Sequence, residues 1–340
     1  MNVFIKSFNR PYYLERCIQS ILLNIIDDTL SIIVLDDGTN PKYLTKIQDK
    51  YPDVKIKLSP FYSEKVDKIE KFISDGIKIK EMEIPTQFWL SSIMECKDKY
   101  FLLLEDDFWL TEKIDLNDTF KLMESNNLCL LKLFYFGNTK LLSGKLSKLS
   151  NLINEIIPQL PIYNEFIFKK FILGNSMKIW SVLSRINIHN KNIVKYYTIY
   201  RVAGAIFSKE YYAELWKDFT GIVNEDEQLI KALRFFNKNK NVRYGIFNKD
   251  VVNTSFSSSA TNMFSDIDFN PFIYNNILNE AWFNGKLDAM SGYPKDFNSG
   301  DIISILNTEN EKLASVVEWK KWVKRFQNQY REIGFVLDDE

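Results

Sequence analysis

Tyr100-Phe101-Leu102-Leu103-Leu104-Glu105-Asp106-Asp107 sets an unbroken apolar run directly before three carboxylates. A short apolar run bounded by charge reads as a strand buried on both faces, as in parallel sheets covered by helices. The same grammar recurs upstream. Val3, Phe4 and Ile5 run apolar and stop at Ser7, Phe8, Asn9 and Arg10. Leu14, Cys17, Ile18, Ile21, Leu22 and Ile25 then repeat with helical spacing, and Pro11 stands in the permissive first turn. Residues 32–35 form a second buried run stopped by Asp36, Asp37 and Gly38, after which Asn40 and Pro41 open another helix. Residues 55–58 alternate. Val66, Ile69 and Ile73, and then Phe88, Trp89, Ile93 and Cys96, keep helical spacing ahead of the run at 101–104.

This β-α-β-α-β order predicts an α/β fold, a mostly parallel sheet flanked by helices, because parallel neighbours require crossover connections. In such sheets ligands bind beyond the carboxyl ends of the strands. The polar clusters at 7–10, 36–38 and 105–107 all sit at such ends and are expected to converge on one edge. Farther on come an apolar run at 128–136, a blurred stretch over 140–172 read as an insertion over or beside that edge, and a strand over 201–207 containing Gly204. A helix over 208–217 and the acids Glu225, Asp226 and Glu227 follow, then a Ser-rich stretch at 255–261 and a mainly helical C-terminal extension with Trp282, Trp319 and Trp322.

Composition narrows the function classes. Hydrophobic residues make up 46%, aromatics 15% and charged residues 26% of 340 residues, a globular balance with room for a sizeable core. Lys plus Arg and Asp plus Glu are both 44, so no global charge draws the chain to nucleic acid or anionic lipid. Cys17, Cys96 and Cys129 are odd in number and far apart, which predicts reduced thiols and a cytoplasmic setting. No signal-peptide pattern is visible, and no apolar run approaches the ~20 residues of a membrane span. Trp319, Trp322 and Phe326 share a helical face with Val316. That face reads as packing, with a homodimer through the C-terminal extension as the partner expectation.

Chemistry concentrates in carboxylates. Glu105, Asp106 and Asp107 offer hard oxygens, which suit Mg²⁺ or Mn²⁺ completed by water and a diphosphate; the bland alternative is a solvated turn. An ionised Asp37 is acceptor-only and suits the N–H of a pyrimidine, or else it closes a turn before Gly38. Glu225 and Asp226 follow Asn224 where a helix would start. Acids there complement the helix dipole, and Asn224 with Glu227 would form a capping box.

Four segments together resemble family 2 glycosyltransferases of the GT-A (Rossmann-like) fold: K-S-F-N-R-P-Y-Y-L-E-R-C-I-Q-S-I (6–21), I-I-V-L-D-D-G-T (32–39), Y-F-L-L-L-E-D-D (100–107) and N-E-D-E-Q-L (224–229). The resemblance implies a catalytic domain over 1–250, with a nucleotide-binding half at 1–107, an acceptor half at 108–250 with its insertion at 140–200, and the extension at 251–340. It implies that Lys6, Ser7, Phe8, Asn9 and Arg10 line a nucleotide pocket with Asp36 and Asp37. Asp107 would bind the metal, with Glu105 or Asp106 on metal or ribose, and Gly204 would lie in the acceptor-side strand. Asp226, beside Glu225, would be the base of an inverting transfer from a nucleotide-sugar, UDP-sugar favoured, to a glycan or other hydroxyl acceptor. Two departures stand out: Glu105 replaces the first Asp of the family's D-x-D, and the only His is His189, before the base helix, where it reads as a loop residue. Arg243 and Lys249 are then the cations offered to the diphosphate. The competing readings are a sugar-1-phosphate nucleotidyltransferase, against which the glycine-free stretch 6–12 speaks, and a non-catalytic sugar-binding protein keeping the fold.

Overall fold

A computed structural model describes residues 1–27, 29–79, 82–174, 193–218 and 221–337. Strands β1 (Asn2–Ser7), β2 (Ile25–Ile26), β3 (Ser31–Asp36), β4 (Lys55–Leu58), β5 (Tyr100–Glu105), β6 (Phe108–Leu110) and β7 (Ile114–Asp115) fall in the N-terminal part. They are followed by β8 (Leu128–Lys132), β9 (Gly144–Lys148), β10 (Ile153–Pro158), β11 (Ala205–Ser208), β12 (Arg243–Phe247) and β13 (Val252–Thr254). One nine-stranded sheet runs in the order β4-β3-β1-β5-β11-β8-β12-β10-β9. All its strands point the same way except β11 and β10. This is the mostly parallel α/β sheet that the alternation of apolar runs predicts.

The helices are α1 (Pro11–Asn24), α2 (Pro41–Lys50), α3 (Tyr62–Asp75), α4 (Thr86–Met94), α5 (Leu116–Ser125), α6 (Lys209–Trp216) and α7 (Glu225–Lys238). The extension adds α8 (Pro271–Phe283), α9 (Ser299–Glu309) and α10 (Val316–Ile333). Register aligns the strand ends: Ser7 pairs with Asp36 and Lys6 with Glu105. The three polar clusters therefore share one edge of the sheet. Alternation along β1 and β5 sends Phe4, Lys6, Phe101 and Glu105 to one face, where Phe101 packs on Phe207 and on Tyr212 of α6.

Two segments differ from the expectation. The blurred stretch contains the hairpin β9–β10, which widens the sheet through β10 against β12. Its pattern is faint because every residue of β9 is exposed and only Ile153 and Ile156 of β10 are buried. The strand expected over 201–207 begins only at Ala205, because Gly204 takes φ +67, outside the extended region. A Cβ there would stand 3.1 Å from the ring of Phe108 and closer still to Phe134.

The C-terminal residues from 251 on are built onto the sheet through α1. Eleven residues of that helix are buried, among them Tyr12, Tyr13, Glu15 and Arg16 on what would be its polar side. Tyr12 donates to Asn275 (2.8 Å), Tyr13 to Asp296 (2.8 Å), and Arg16 to the carbonyls of Ala289 and Ser291 (both 2.9 Å). Trp319 and Trp322 are spent inside the chain, donating to the carbonyls of Ser257 and Asn262, each at 3.0 Å. Cys17, Cys96 and Cys129 are free thiols. Among the described residues no helix is long and apolar enough to cross a membrane.

Candidate active site

The turn after β3 separates two carboxylates that the sequence leaves equivalent. Asp36 is fully buried and accepts from the backbone N–H of Gly38 (3.1 Å) and Thr39 (2.9 Å) and from the Thr39 hydroxyl (2.7 Å). Asp36, not Asp37, thus closes the Asx turn, and it is turned away from any ligand. Burial pushes its carboxyl up, against these hydrogen bonds. Asp37 lies between Ser59 and Lys65, which donate to its two oxygens, and its own N–H bonds the Ser7 carbonyl at 3.0 Å. Burial again raises its carboxyl, with Lys65 opposing. Lys65 also stands over the rings of Phe8 and Phe61. A cavity of about 190 Å³ opens there, lined by Phe61, Lys65, Met82 and Glu83 among others. Gly38, at φ +146, keeps this corner open: a Cβ would stand 2.9 Å from the Phe8 ring.

The loop after β1 is held from several sides. Asn9 takes φ 52, a left-handed position that Asn tolerates. Its N–H bonds the Thr39 hydroxyl at 3.0 Å, and its carbonyl accepts from Asn279 of α8 at 3.1 Å. Lys6 does not face this loop's pocket. Its ammonium lies 4.2 Å from the ring of Trp89 and 4.4 Å from that of Trp216, and burial pushes it down to about 8 against the pull of Glu105.

The acidic triplet after β5 divides three ways. Asp106 is buried and pushed up to about 7 by that burial, although it accepts from Arg10 and from the Phe8 N–H (3.0 Å). It serves the loop rather than a ligand. Arg10 also donates to Asp107 Oδ2 at 2.9 Å. Asp107 Oδ1 is buried with no hydrogen-bond partner among the described residues. Glu105 is raised by burial and by the charges of Asp107 and Glu225, with Lys6 and Arg10 opposing. Tyr330, from α10 of the extension, joins this group: burial together with Asp107, Glu225 and Glu105 pushes its hydroxyl up to about 12.

Asn224 caps α7 by accepting from the Glu227 N–H at 3.1 Å. The reciprocal half of the capping box is replaced by an ion pair of Glu227 with Lys169 at 2.9 Å. Glu225 accepts from the Tyr197 hydroxyl. Asp226 is exposed beside it and makes no hydrogen bond or ion pair with a described residue. Glu225, not Asp226, is the member of the pair whose charge reaches Glu105 and Tyr330.

Several expectations are displaced. Arg243 is committed to Glu155 and Asn126, and Lys249 to Glu112 at 2.7 Å, so neither is free for a diphosphate. His189 lies outside the described residues. Gly204 packs between Phe134 and Phe108 and carries no ligand-facing group. The cation that sequence reasoning missed is Arg201, whose guanidinium stacks on Phe134 at 3.8 Å. A larger cavity of about 640 Å³ is lined by Phe134 and Phe136 together with Asn253, Phe256, Asp296 and Gln327 of the C-terminal part, among others. None of Glu105, Asp107, Glu225 and Asp226 lines it. No group of three or more His, Cys, Asp or Glu side chains gathers as a metal site among the described residues. What does fit a hard cation is the orphaned Oδ1 of Asp107, whose charge also acts on Glu105, since Mg²⁺ keeps waters and phosphates as its other ligands.

No protein-family model matches the chain, and no curated protein matches it. Solved structures do. TarS of S. aureus matches with a TM-score of 0.42 and 12% identity over 96% of this chain and 48% of its own, so this chain spans about half its length. TarS 1-349 in complex with UDP-GlcNAc gives 0.40 and 15% over 97% and 91%. Glucosyl-3-phosphoglycerate synthase from Mycobacterium tuberculosis, in complex with Mn2+, UDP-glucose and phosphoglyceric acid, gives 0.34 and 11% over 71% and 70%. At these values the functional reading rests on the chain's own residues.

Proposed function

We propose that the chain is a glycosyltransferase of glycan or polysaccharide biosynthesis, moving a sugar from a nucleoside diphosphate sugar, UDP-linked by preference, to an acceptor hydroxyl. One observation carries this reading. The buried oxygen of Asp107 is left without a partner at the end of β5, and the charges of Asp107 and of Glu225, at the start of α7, both act on Glu105, a concentration of negative charge suited to a cation and a pyrophosphate. Strongly perturbed carboxylates gathered at a ligand-binding edge are a functional-site signature.

Asp107 Oδ1 and Glu105 are assigned to hold Mg²⁺ or Mn²⁺, which when bound supplies positive charge against the departing diphosphate. Arg10 fixes Asp107 through the opposite oxygen and leaves Oδ1 unpaired. Asp37 keeps lone pairs beyond its bonds to Ser59 and Lys65, and it is assigned the N–H of the base, with Phe8 and Phe61 flanking the ring. Asp226, open to solvent, takes the proton of the acceptor hydroxyl as that oxygen bonds the anomeric carbon and the bond to the diphosphate breaks. A single displacement of this kind inverts the anomeric centre. Glu225, held by Tyr197, forms the charged wall behind it.

Thermal unfolding with UDP, with and without Mn²⁺ or Mg²⁺, tests the reading. Saturation at about a hundred times Kd should add about 2.7 kcal/mol of stability, and only with the metal. No response to UDP, or a preference for UTP, sinks the proposal.

A further inference from the structure

Beyond the carboxylate edge, the basic side chains of Lys132 and Arg201 act on each other electrostatically, and neither forms an ion pair with a described carboxylate. Lys132, at the end of β8, is 2% exposed and donates to the carbonyls of Tyr197 and Tyr200, the latter at 2.7 Å. Burial depresses it well below the usual lysine range, and Arg201 lowers it further. Arg201 is half-buried, with its guanidinium 3.8 Å from the ring centre of Phe134 and 4.9 Å from that of Phe136. One amino group donates to the Phe134 carbonyl at 3.1 Å, while the buried Nε–H has no partner. Burial pushes this guanidinium down to about 10. The carboxylate whose charge opposes that shift, Asp250, forms no ion pair with Arg201 and accepts from the N–H groups of Tyr135 (2.6 Å) and Gly137 (2.9 Å).

A desolvated guanidinium with an idle N–H, facing a buried amine, is costly unless an anion offsets it. The planar fork of Arg201 matches the oxygens of a phosphoryl or carboxylate group. Its position selects which substrate brings that anion. Tyr197 links the two sites directly: its carbonyl receives Lys132 and its hydroxyl bonds Glu225, so the two basic groups stand behind the wall assigned to the acceptor. The donor's diphosphate belongs to Asp107 and Glu105.

We propose that Arg201, backed by Lys132, forms an anion site for a phosphoryl group carried by the acceptor. The word acceptor rests on the glycosyltransferase reading; the anion site does not. Binding of inorganic phosphate to the full chain, followed by calorimetry with and without saturating UDP and Mg²⁺, tests it, with acetate in parallel as the carboxylate probe. Phosphate should bind the native chain in both conditions and more tightly than acetate. Arg201→Met should weaken phosphate binding by about tenfold or more, Arg201→Lys should restore part of it, and neither should change UDP affinity. Far-UV circular dichroism and the melting point establish that both variants fold. Failure of the native chain to bind phosphate, or an Arg201→Met variant that binds it unchanged, overturns the site, and acetate binding as tightly overturns the phosphoryl assignment. If UDP excludes phosphate and Arg201→Met weakens UDP equally, the anion is the donor's and the acceptor assignment falls. A native chain that binds phosphate through Arg201 yet ignores UDP instead refutes the glycosyltransferase reading and leaves the anion site standing.

Discussion

Arg10 spans Asp106 and Asp107 with its two amino groups, binding a buried carboxylate on one side and a partly exposed one on the other. One guanidinium thereby stabilises the loop after β1 and leaves Oδ1 of Asp107 unpaired. Removing it strands the charge of Asp106, which has only the Phe8 N–H left. Arg10→Met should lower the unfolding free energy by about 3–5 kcal/mol in urea titrations at alkaline pH, where Asp106 is ionised in the native chain. The loss should shrink toward acid pH, because a protonated Asp106 needs no counter-charge. A loss that does not depend on pH would place the effect elsewhere.

Asp107→Asn keeps the shape of the side chain and its contact with Arg10 but weakens a hard-cation ligand. The variant should melt within a few degrees of the native chain yet lose the metal-dependent part of its response to UDP, with affinity down about 10–100-fold. An undiminished metal effect would remove Asp107 from the proposed ligand set.

Asp226→Asn and Glu225→Gln separate two neighbouring carboxylates that the helix start presents differently. Asp226→Asn should reduce turnover about 10²–10⁴-fold while leaving UDP affinity intact. Glu225→Gln retains a hydrogen-bond acceptor for Tyr197 and should reduce turnover less. The reverse ranking would transfer the base role to Glu225, the one whose field reaches Glu105.

How far these residues could be read from sequence depends on what distinguishes them physically. The strand ends at Ser7, Asp36 and Glu105 are legible because an apolar run must stop where the chain leaves the sheet, and register then brings the ends together. Asp36 and Asp37 are indistinguishable until the backbone bends, since only the geometry of the turn decides which one the N–H groups of Gly38 and Thr39 capture. Arg201 carries no local signature, for its meaning comes from Lys132 and Phe134 far away in the chain. Tyr12, Tyr13 and Arg16 read as the outward face of an amphipathic helix, and the residues that bury them lie more than 240 positions downstream.

Lys6 offers a test in the alkaline range. Its buried ammonium faces Glu105 and two indole rings, and its folded pKa of about 8 lies below the ordinary lysine value of 10.5. The unfolded chain therefore holds this proton more tightly, so the contribution of Lys6 to stability rises as pH climbs from about 8 to 10.5 and the penalty is complete below 8. Lys6→Met fills the space between Trp89 and Trp216 without a charge. It should flatten that part of the stability–pH curve, by at most about 3 kcal/mol. Denaturant titrations of both proteins between neutral pH and pH ~10 measure the difference, and parallel curves would contradict the burial argument.

The extension should prove indispensable to the catalytic half. Cutting the chain after Asp250 would bare Tyr12, Tyr13 and Arg16, now 0%, 1% and 0% exposed, and would take the Trp282 indole N–H away from the Glu15 carboxylate. Removing partners from buried polar groups costs about 1–3 kcal/mol each, and several such groups together exceed the usual margin of stability of a domain. Residues 1–250 expressed alone should be insoluble or lack a cooperative melting transition, and co-expression of 251–340 should restore a complex that survives purification. A truncated chain that melts cooperatively, near the temperature of the full chain, would show that α1 can hold its place without the cover its tyrosines and arginine are bonded to.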